Sequence, residues 1–237
     1  MLQRMTNLVN RSPYYDHGGI TIYHGDCREI LPAVLGSTED RVFSVMVTDP
    51  PYGLDFPYRS YEDTRGNLVD TISGLAPYIV RTGERCSRSV ILCGPTQIGL
   101  YPPPSWVCAI TWDTTGSFGK YGYSQWTPAL LYGDDLRGFG NVNGVTKADT
   151  KRITGGAGVG FQRSAAEKAH TCPKPLNMMK WVVQRFVEQD HRVIDPFAGS
   201  GTTLLAAKET GRKAIGIELD EKYCEIAATR LAQEVLF

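Results

Sequence analysis

Val193-Ile194-Asp195-Pro196-Phe197-Ala198-Gly199-Ser200-Gly201-Thr202-Thr203 is the stretch that decides the fold. His191 to Asp195 reads as a strand, a glycine-containing turn follows, and Leu204 to Thr210 reads as a helix stopped by Gly211. Lys213 to Glu218 is a second strand ending in an acid, and a last helix starts near Glu221 with Asp220 as its cap. Strand, glycine turn, helix, strand and acid make a crossover unit, right-handed in parallel sheets. Gly199 and Gly201 let backbone approach a ligand, and the helix start beyond them offers free N–H groups to an anion such as a carboxylate. Glu218, 23 residues after Asp195, is placed to accept hydrogen bonds from two ribose hydroxyls. No Gly-Lys-Ser/Thr follows the glycines, which excludes a kinase-type phosphate loop. The absence of a full Gly-x-Gly-x-x-Gly disfavours NAD. The pattern is that of a nucleotide site without a pyrophosphate.

A second constellation lies upstream, in Thr48-Asp49-Pro50-Pro51-Tyr52-Gly53. The apolar run Val42 to Val47 before it has the length and β-branched content of a buried strand. Two prolines stop the sheet because neither can donate a ladder hydrogen bond. The strand thus ends by presenting a carboxylate, a prolyl carbonyl and an aromatic ring. A planar base with an exocyclic amine needs two acceptors and a ring to stack on, and these three groups supply them. An ordinary strand stop is the plainer alternative.

Between and around these motifs the chain alternates. Residues 1–19 read as an irregular arm. Ile20 to Tyr23 is a short strand, and Arg28 to Leu35 a short helix with Ile30, Leu31, Val34 and Leu35 on one side. Asp26 between them is either a ligand-holding group beyond a strand end or a helix cap. Leu54 to Asn67, rich in Tyr, Arg, Asp and Gly, is expected to be a mobile loop, and Leu68 to Val80 a helix. Ser89 to Cys93, Trp106 to Trp112 and Pro128 to Tyr132 are further strands, the last two a hairpin closing one edge of the sheet. Residues 133–171 hold eight glycines and six basic against four acidic side chains, which fits a phosphate-tracking loop or a solvated linker. Leu176, Met179, Val182, Val183, Phe186 and Val187 mark an amphipathic helix whose apolar face is core.

Bulk composition narrows the class. At 237 residues, with 42% hydrophobic and 21% charged side chains, one α/β domain over residues 1–237 is expected. The formal charge is zero, so any nucleic-acid contact must come from a local basic stripe. Six scattered cysteines lack metal-ligand or Cys-x-x-Cys spacing and read as reduced thiols of a cytoplasmic protein, with no metal site. No apolar run approaches a membrane span, and Met1 to Tyr15 carries no signal core, so no membrane association is expected.

Taken together, Asp49-Pro50-Pro51-Tyr52 and Asp195-Pro196-Phe197-Ala198-Gly199-Ser200-Gly201 resemble the S-adenosylmethionine-dependent amino-group DNA methyltransferases. The order, catalytic motif before cofactor motif, is similar to that family's beta type. Gly25-Asp26-Cys27, Ile110-Thr111-Trp112-Asp113, Lys174-Pro175 and Glu218 also have counterparts in order. Two features depart from the pattern: His170-Thr171-Cys172-Pro173-Lys174-Pro175 stands where His-Pro-Thr-x-Lys-Pro is usual, and the target-recognition segment is short. The resemblance implies a Rossmann-like methyltransferase fold, with a mostly parallel twisted sheet, helices on both faces and an antiparallel hairpin at one edge. It implies S-adenosylmethionine as cofactor, double-stranded DNA as partner and a homodimer. Asp26 and Cys27 would lie near the cofactor's adenine, Glu218 at its ribose, and Asp195, Pro196, Phe197, Gly199, Ser200, Gly201, Thr202 and Lys174 around its methionyl end.

The activity so implied is methyl transfer to an exocyclic amine of a flipped base, with Asp49, Pro50, Pro51 and Tyr52 as the catalytic set. Asp49 and the Pro50 carbonyl would accept the two amine protons, and Tyr52 would stack on the base. Asp at the first motif position leans in that family to adenine N6, with cytosine N4 the alternative. A silent cofactor- or nucleic-acid-binding module is the reading from another class. Residues 54–67 and 133–171 are the candidate DNA-contacting loops.

Overall fold

The apolar run that precedes Asp49 forms a fully buried strand, Ser44–Thr48, in the middle of a nine-stranded sheet. The computed structural model describes residues 12–36, 44–79, 86–112, 117–119, 122–124, 126–133, 150–153 and 174–233. In chain order these form β1 (Tyr15–His17), β2 (Ile20–His24), α1 (Cys27–Gly36), β3 (Ser44–Thr48), α2 (Arg65–Ile79) and β4 (Cys86–Leu92). A 3-10 turn (Pro95–Leu100) leads to β5 (Trp106–Trp112), β6 (Ser117–Gly119), β7 (Gly122–Ser124), β8 (Trp126–Gly133) and β9 (Thr150–Ile153). Then come α3 (Leu176–Phe186), β10 (Arg192–Asp195), α4 (Thr202–Glu209), β11 (Ala214–Glu218) and α5 (Glu221–Ala232).

The sheet order is β1-β2-β11-β10-β3-β4-β8-β5-β9, with β6 and β7 paired separately. From β2 to β4 the five neighbours are parallel, as buried strands joined by helices must be. β8 runs antiparallel to both β4 and β5. The expected hairpin is therefore present, with β9 added outside it, parallel to β5.

Side chains alternate between the two faces along each strand. On β3, Val45 and Val47 join α3, α4 and α5 in one core, while Met46 joins α1 and α2 in the other. The same partition separates Val90 and Leu92 from Ile91 on β4, and Val193 from Ile194 on β10. The helix after β3 thus lies on one face and the helix after β10 on the other. Adjacent strands whose connections leave in opposite directions open a crevice at their carboxyl ends. That crevice lies between β3 and β10.

Two expectations need correction. The arm over residues 1–19 contains β1, paired antiparallel with β2 across Gly18 and Gly19 at φ 60° and 81°, as a tight hairpin turn requires. Thr150–Ile153, inside the stretch read as structureless, forms an edge strand. The remaining expectations for residues 134–149 and 154–173, His170 included, lie outside the described residues.

Close helix–sheet packing in the crossover unit depends on Gly216. A Cβ there would come 2.9 Å from Ala198 Cβ and 2.6 Å from Leu204 Cδ1. Gly216→Ala should lower stability by about 1–3 kcal/mol through overpacking. Urea unfolding measures this, and a change within about 0.5 kcal/mol would show that the contact relaxes freely.

Candidate active site

Four acids stand at or just beyond the carboxyl ends of four neighbouring parallel strands: Asp26 after β2, Glu218 closing β11, Asp195 closing β10 and Asp49 after β3. Hydrogen bonds tie these ends to one another. Gly25 N–H donates to the Glu218 carbonyl at 2.8 Å. Gly199 N–H donates to Glu218 Oε2 at 2.7 Å, and the Thr48 hydroxyl donates to Asp195 Oδ1 at 2.6 Å. Asp49 and Glu218 therefore stand on one connected strand-end edge.

Asp195 is 1% exposed. It also accepts from Phe197 N–H at 3.0 Å and from Thr203. Burial pushes its carboxyl up to about 6, against hydrogen bonds that pull it down. Burial likewise raises Glu218, whose Oε1 accepts from Asp220 N–H at 2.8 Å. Each acid adds to its neighbour's shift, Asp49 to Asp195 and Asp195 to Glu218, so like charges are gathered along this edge.

Asp49 meets different groups. Its Oδ1 accepts from the Tyr52 hydroxyl at 2.8 Å, and its Oδ2 from Lys174 Nζ at 2.5 Å. The same ammonium lies 5.0 Å from the centre of the Tyr52 ring. The ring passes over Gly94, just beyond β4, where an added Cβ would stand 3.6 Å from Tyr52 Cδ2 and would clash with Gln97 Oε1. Lys174 stands two residues before Leu176, the first residue of α3, with Pro175 as the helix cap between them.

Residues 107–229, about half of the chain, match the N6_N4_Mtase family, described as DNA methylase. The chain belongs to this DNA methylase family. It is similar to the type II methyltransferase M.ScaI of Streptomyces caespitosus, 25% identical over 270 residues, covering 94% of this chain and 84% of that protein. A shorter match to M.HindIII of Haemophilus influenzae is 49% identical over 65 residues, 27% of this chain and 21% of the relative. Among solved structures, the cytosine-N4-specific PvuII DNA methyltransferase superposes with a TM-score of 0.69 at 16% identity, covering 96% of this chain and 92% of that one. The M1.HpyAVI–SAM complex gives 0.59 at 21% identity, covering 90% and 99%. The mixed sheet and its helices are thus those of methyltransferase-fold DNA methyltransferases.

Within the methylase, the residues singled out from sequence fall into three groups. Asp49, Tyr52, Lys174, Phe197, Gly199 and Glu218 are partly accessible along the strand-end edge, and Pro50 and Pro51 follow Asp49 directly. Ser200 and Thr202 are buried and accept hydrogen bonds from Arg230 Nη1, at 3.1 and 3.2 Å, so these hydroxyls support the turn from behind. Gly201, at φ 78°, lies where a Cβ would meet Ala227 Cβ at 2.9 Å; helix packing as well as backbone conformation excludes a side chain. Pro196 is buried beside Asp195. Asp26 accepts from Arg28 N–H at 2.8 Å and from its guanidinium, which lowers its carboxyl, so it caps α1. Cys27 is 6% exposed in the core under α1, and burial pushes its thiol up to about 12.

Sequence reasoning missed Arg230 and Asp63. Arg230 Nη1 also donates to the Ser200 carbonyl at 2.6 Å, holding the glycine turn from the far end of α5. Neither residue carries a motif; Asp63 was legible only as an acid inside an expected loop. Among the described residues, no group of three His, Cys, Asp or Glu side chains is arranged to hold a metal ion. No helix among them is long and apolar enough to cross a membrane.

The Asp195 shift has a pH consequence. Between its ordinary value of 3.8 and about 6, the folded chain retains a proton that the unfolded chain gives up. Stability from this group therefore falls as pH rises across that window and stays low above it. Asp195→Asn, shaped like the protonated acid, removes the effect. The melting temperature of the variant relative to wild type should rise between about pH 4 and 7. A difference that does not change with pH would refute the assignment.

Proposed function

We propose that the chain transfers a methyl group from S-adenosylmethionine to the exocyclic N6 amine of adenine in double-stranded DNA, with the target base flipped out of the duplex. The observation that carries this reading is the setting of Asp49. Its carboxylate follows a buried strand, is held by Tyr52 and Lys174, and adjoins the Asp195 strand end through Thr48.

The residues fit the cofactor. Each Glu218 oxygen takes one backbone N–H, leaving lone pairs for two ribose hydroxyls. α4 begins at Gly201 without a side-chain cap, which leaves first-turn N–H groups for the methionyl carboxylate. The acidic edge suits a cation. When bound, S-adenosylmethionine supplies an electrophilic methyl on a sulfonium. Phe197 and Tyr52 are the rings available to face that charge.

Asp49 and the Pro50 carbonyl accept the two amine N–H groups, drawing the nitrogen toward tetrahedral geometry and aiming its lone pair. Lys174 and the Tyr52 hydroxyl hold the carboxylate in one orientation, which is where positional rate gain arises. Pro51 stiffens the turn, and the Tyr52 ring stacks on the flipped base, recovering part of the few kcal/mol that unstacking costs. Exposed Arg59 and Arg65, in the segment 54–67, supply phosphate contacts; residues 133–171 are the second candidate strip.

The order of Asp49 before Asp195 favours the beta type, and residues 1–237 act as a single domain. A homodimer would offset the short recognition segment. The reading makes the chain a cytoplasmic, site-specific enzyme of the restriction-modification kind. Asp49 supports adenine, whereas the superposition on a cytosine-N4-specific enzyme favours a second reading, cytosine N4, whose amine presents the same two protons.

Labelled methyl transfer from S-adenosylmethionine to random duplex DNA, followed by digestion to nucleosides, tests these readings. N6-methyladenosine in the deoxy series is expected, and N4-methylcytosine would move the assignment to cytosine. Cofactor binding without transfer would make the chain a silent binding module. Asp49→Ala should abolish transfer and leave the cofactor dissociation constant within about threefold, since Asp49 acts on the amine and not on the ribose or carboxylate. Transfer by that variant at the wild-type rate would remove Asp49 from the mechanism.

A further inference from the structure

Asp63 is 3% exposed, and its carboxylate is turned onto the backbone that leaves Tyr52. Oδ1 accepts from Gly53 N–H at 2.6 Å, and Oδ2 from Leu54 N–H at 3.1 Å and Phe56 N–H at 3.2 Å. The main chain closes the same ring, Asp55 N–H donating to the Asp63 carbonyl at 2.8 Å. The enclosed turn is left-handed at two residues: Gly53 sits at φ 65°, which glycine adopts freely, and Asp55, a non-glycine residue, at a strained φ 56°. Gly53 is also pressed against the start of α2, where a Cβ would come 3.0 Å from Arg65 Cα. A carboxylate that gathers three N–H groups over-determines this conformation, and its removal would take away the acceptor that those donors share.

The next residue inward is Tyr52, whose hydroxyl holds Asp49 Oδ1. At its far side the same segment is fastened by the Ser60 hydroxyl, which donates to Asp220 Oδ2 at 2.9 Å. The segment expected from sequence to be mobile is thus pinned at its root and at its tip. We propose that Asp63 is a positioning residue for methyl transfer: by fixing the Gly53–Phe56 backbone it sets the Tyr52 ring and, through the Tyr52 hydroxyl, the Asp49 carboxylate. The inference rests on the methyl-transfer reading above. Asp63 acts through Tyr52 and touches none of the groups assigned to the cofactor.

Asp63→Asn keeps the shape of the side chain and one acceptor oxygen, but turns an N–H₂ toward N–H donors. The test is a double-mutant cycle on the full chain, combining Asp63→Asn with Tyr52→Phe, which removes the hydroxyl link to Asp49. Single-turnover methyl transfer to DNA is measured together with the dissociation constant and binding stoichiometry of S-adenosylmethionine. Asp63→Asn alone should slow transfer about 10- to 100-fold, with cofactor affinity within about twofold and full stoichiometry. In the Tyr52→Phe background the same change should cost less than about threefold, because the path through the hydroxyl is already cut. A loss that persists in full in that background, or that is matched by lost cofactor sites, would make Asp63 a purely structural residue and overturn the inference. An active wild type with an unaltered Asp63→Asn overturns it alone; a wild type that transfers no methyl group to DNA overturns the functional reading and this inference with it.

Discussion

The hydrogen bond from the Thr48 hydroxyl to Asp195, 2.6 Å long and buried, is the constraint on which the site depends. It joins two strands, β3 and β10, that are 147 residues apart in the chain and whose following helices pack on opposite faces of the sheet. Where those connections diverge the sheet edge must open, and the bond sets how its two lips meet. Asp49 begins on one lip and the glycine turn on the other. Without that junction Asp49 and the glycine turn would be separate features of one surface.

Placing a nearly inaccessible carboxylate at that junction is costly, since burial disfavours its ionised form. The surroundings offset the cost with Thr48, Thr203 and the Phe197 N–H, and Asp49 and Glu218 stand close enough to add repulsion. The result is an edge whose acids are organised by backbone donors and hydroxyls. Two basic side chains add to these, Arg28 on Asp26 and Lys174, from just before α3, on Asp49. Such an arrangement suits a ligand that brings positive charge and its own hydroxyls, which is the chemistry of a sulfonium nucleoside.

Rigidity around the edge is built from backbone hydrogen bonds as much as from side-chain packing. Arg230, itself buried, braces the Ser200 carbonyl from the end of α5. Asp220 caps α5 through Lys222 N–H and also receives the Ser60 hydroxyl, so one carboxylate ends a helix and anchors a loop. Asp63 does the corresponding work beside Tyr52. Apart from the cap, these partners lie between 7 and 160 residues apart, and no spacing rule singles them out. That is why Arg230, Asp63 and the Ser60 contact were invisible beforehand, whereas Asp49, Glu218 and the Asp220 cap were not.

The chain's one-dimensional pattern determined the elements and the two motifs. Alternation of apolar residues, the proline stop after Asp49, the glycine turn after Asp195 and the acid of Glu218 are local features, and local steric rules suffice to interpret them. The hairpin at Gly18-Gly19 was equally local and could have been read. Only tertiary structure decided where the donors went: Ser200 and Thr202 to Arg230, Asp26 to its own helix, Cys27 to the core and Lys174 to Asp49. A side chain's partner depends on which groups the fold brings within about 3 Å, and residues far apart in sequence meet there only once the sheet is assembled.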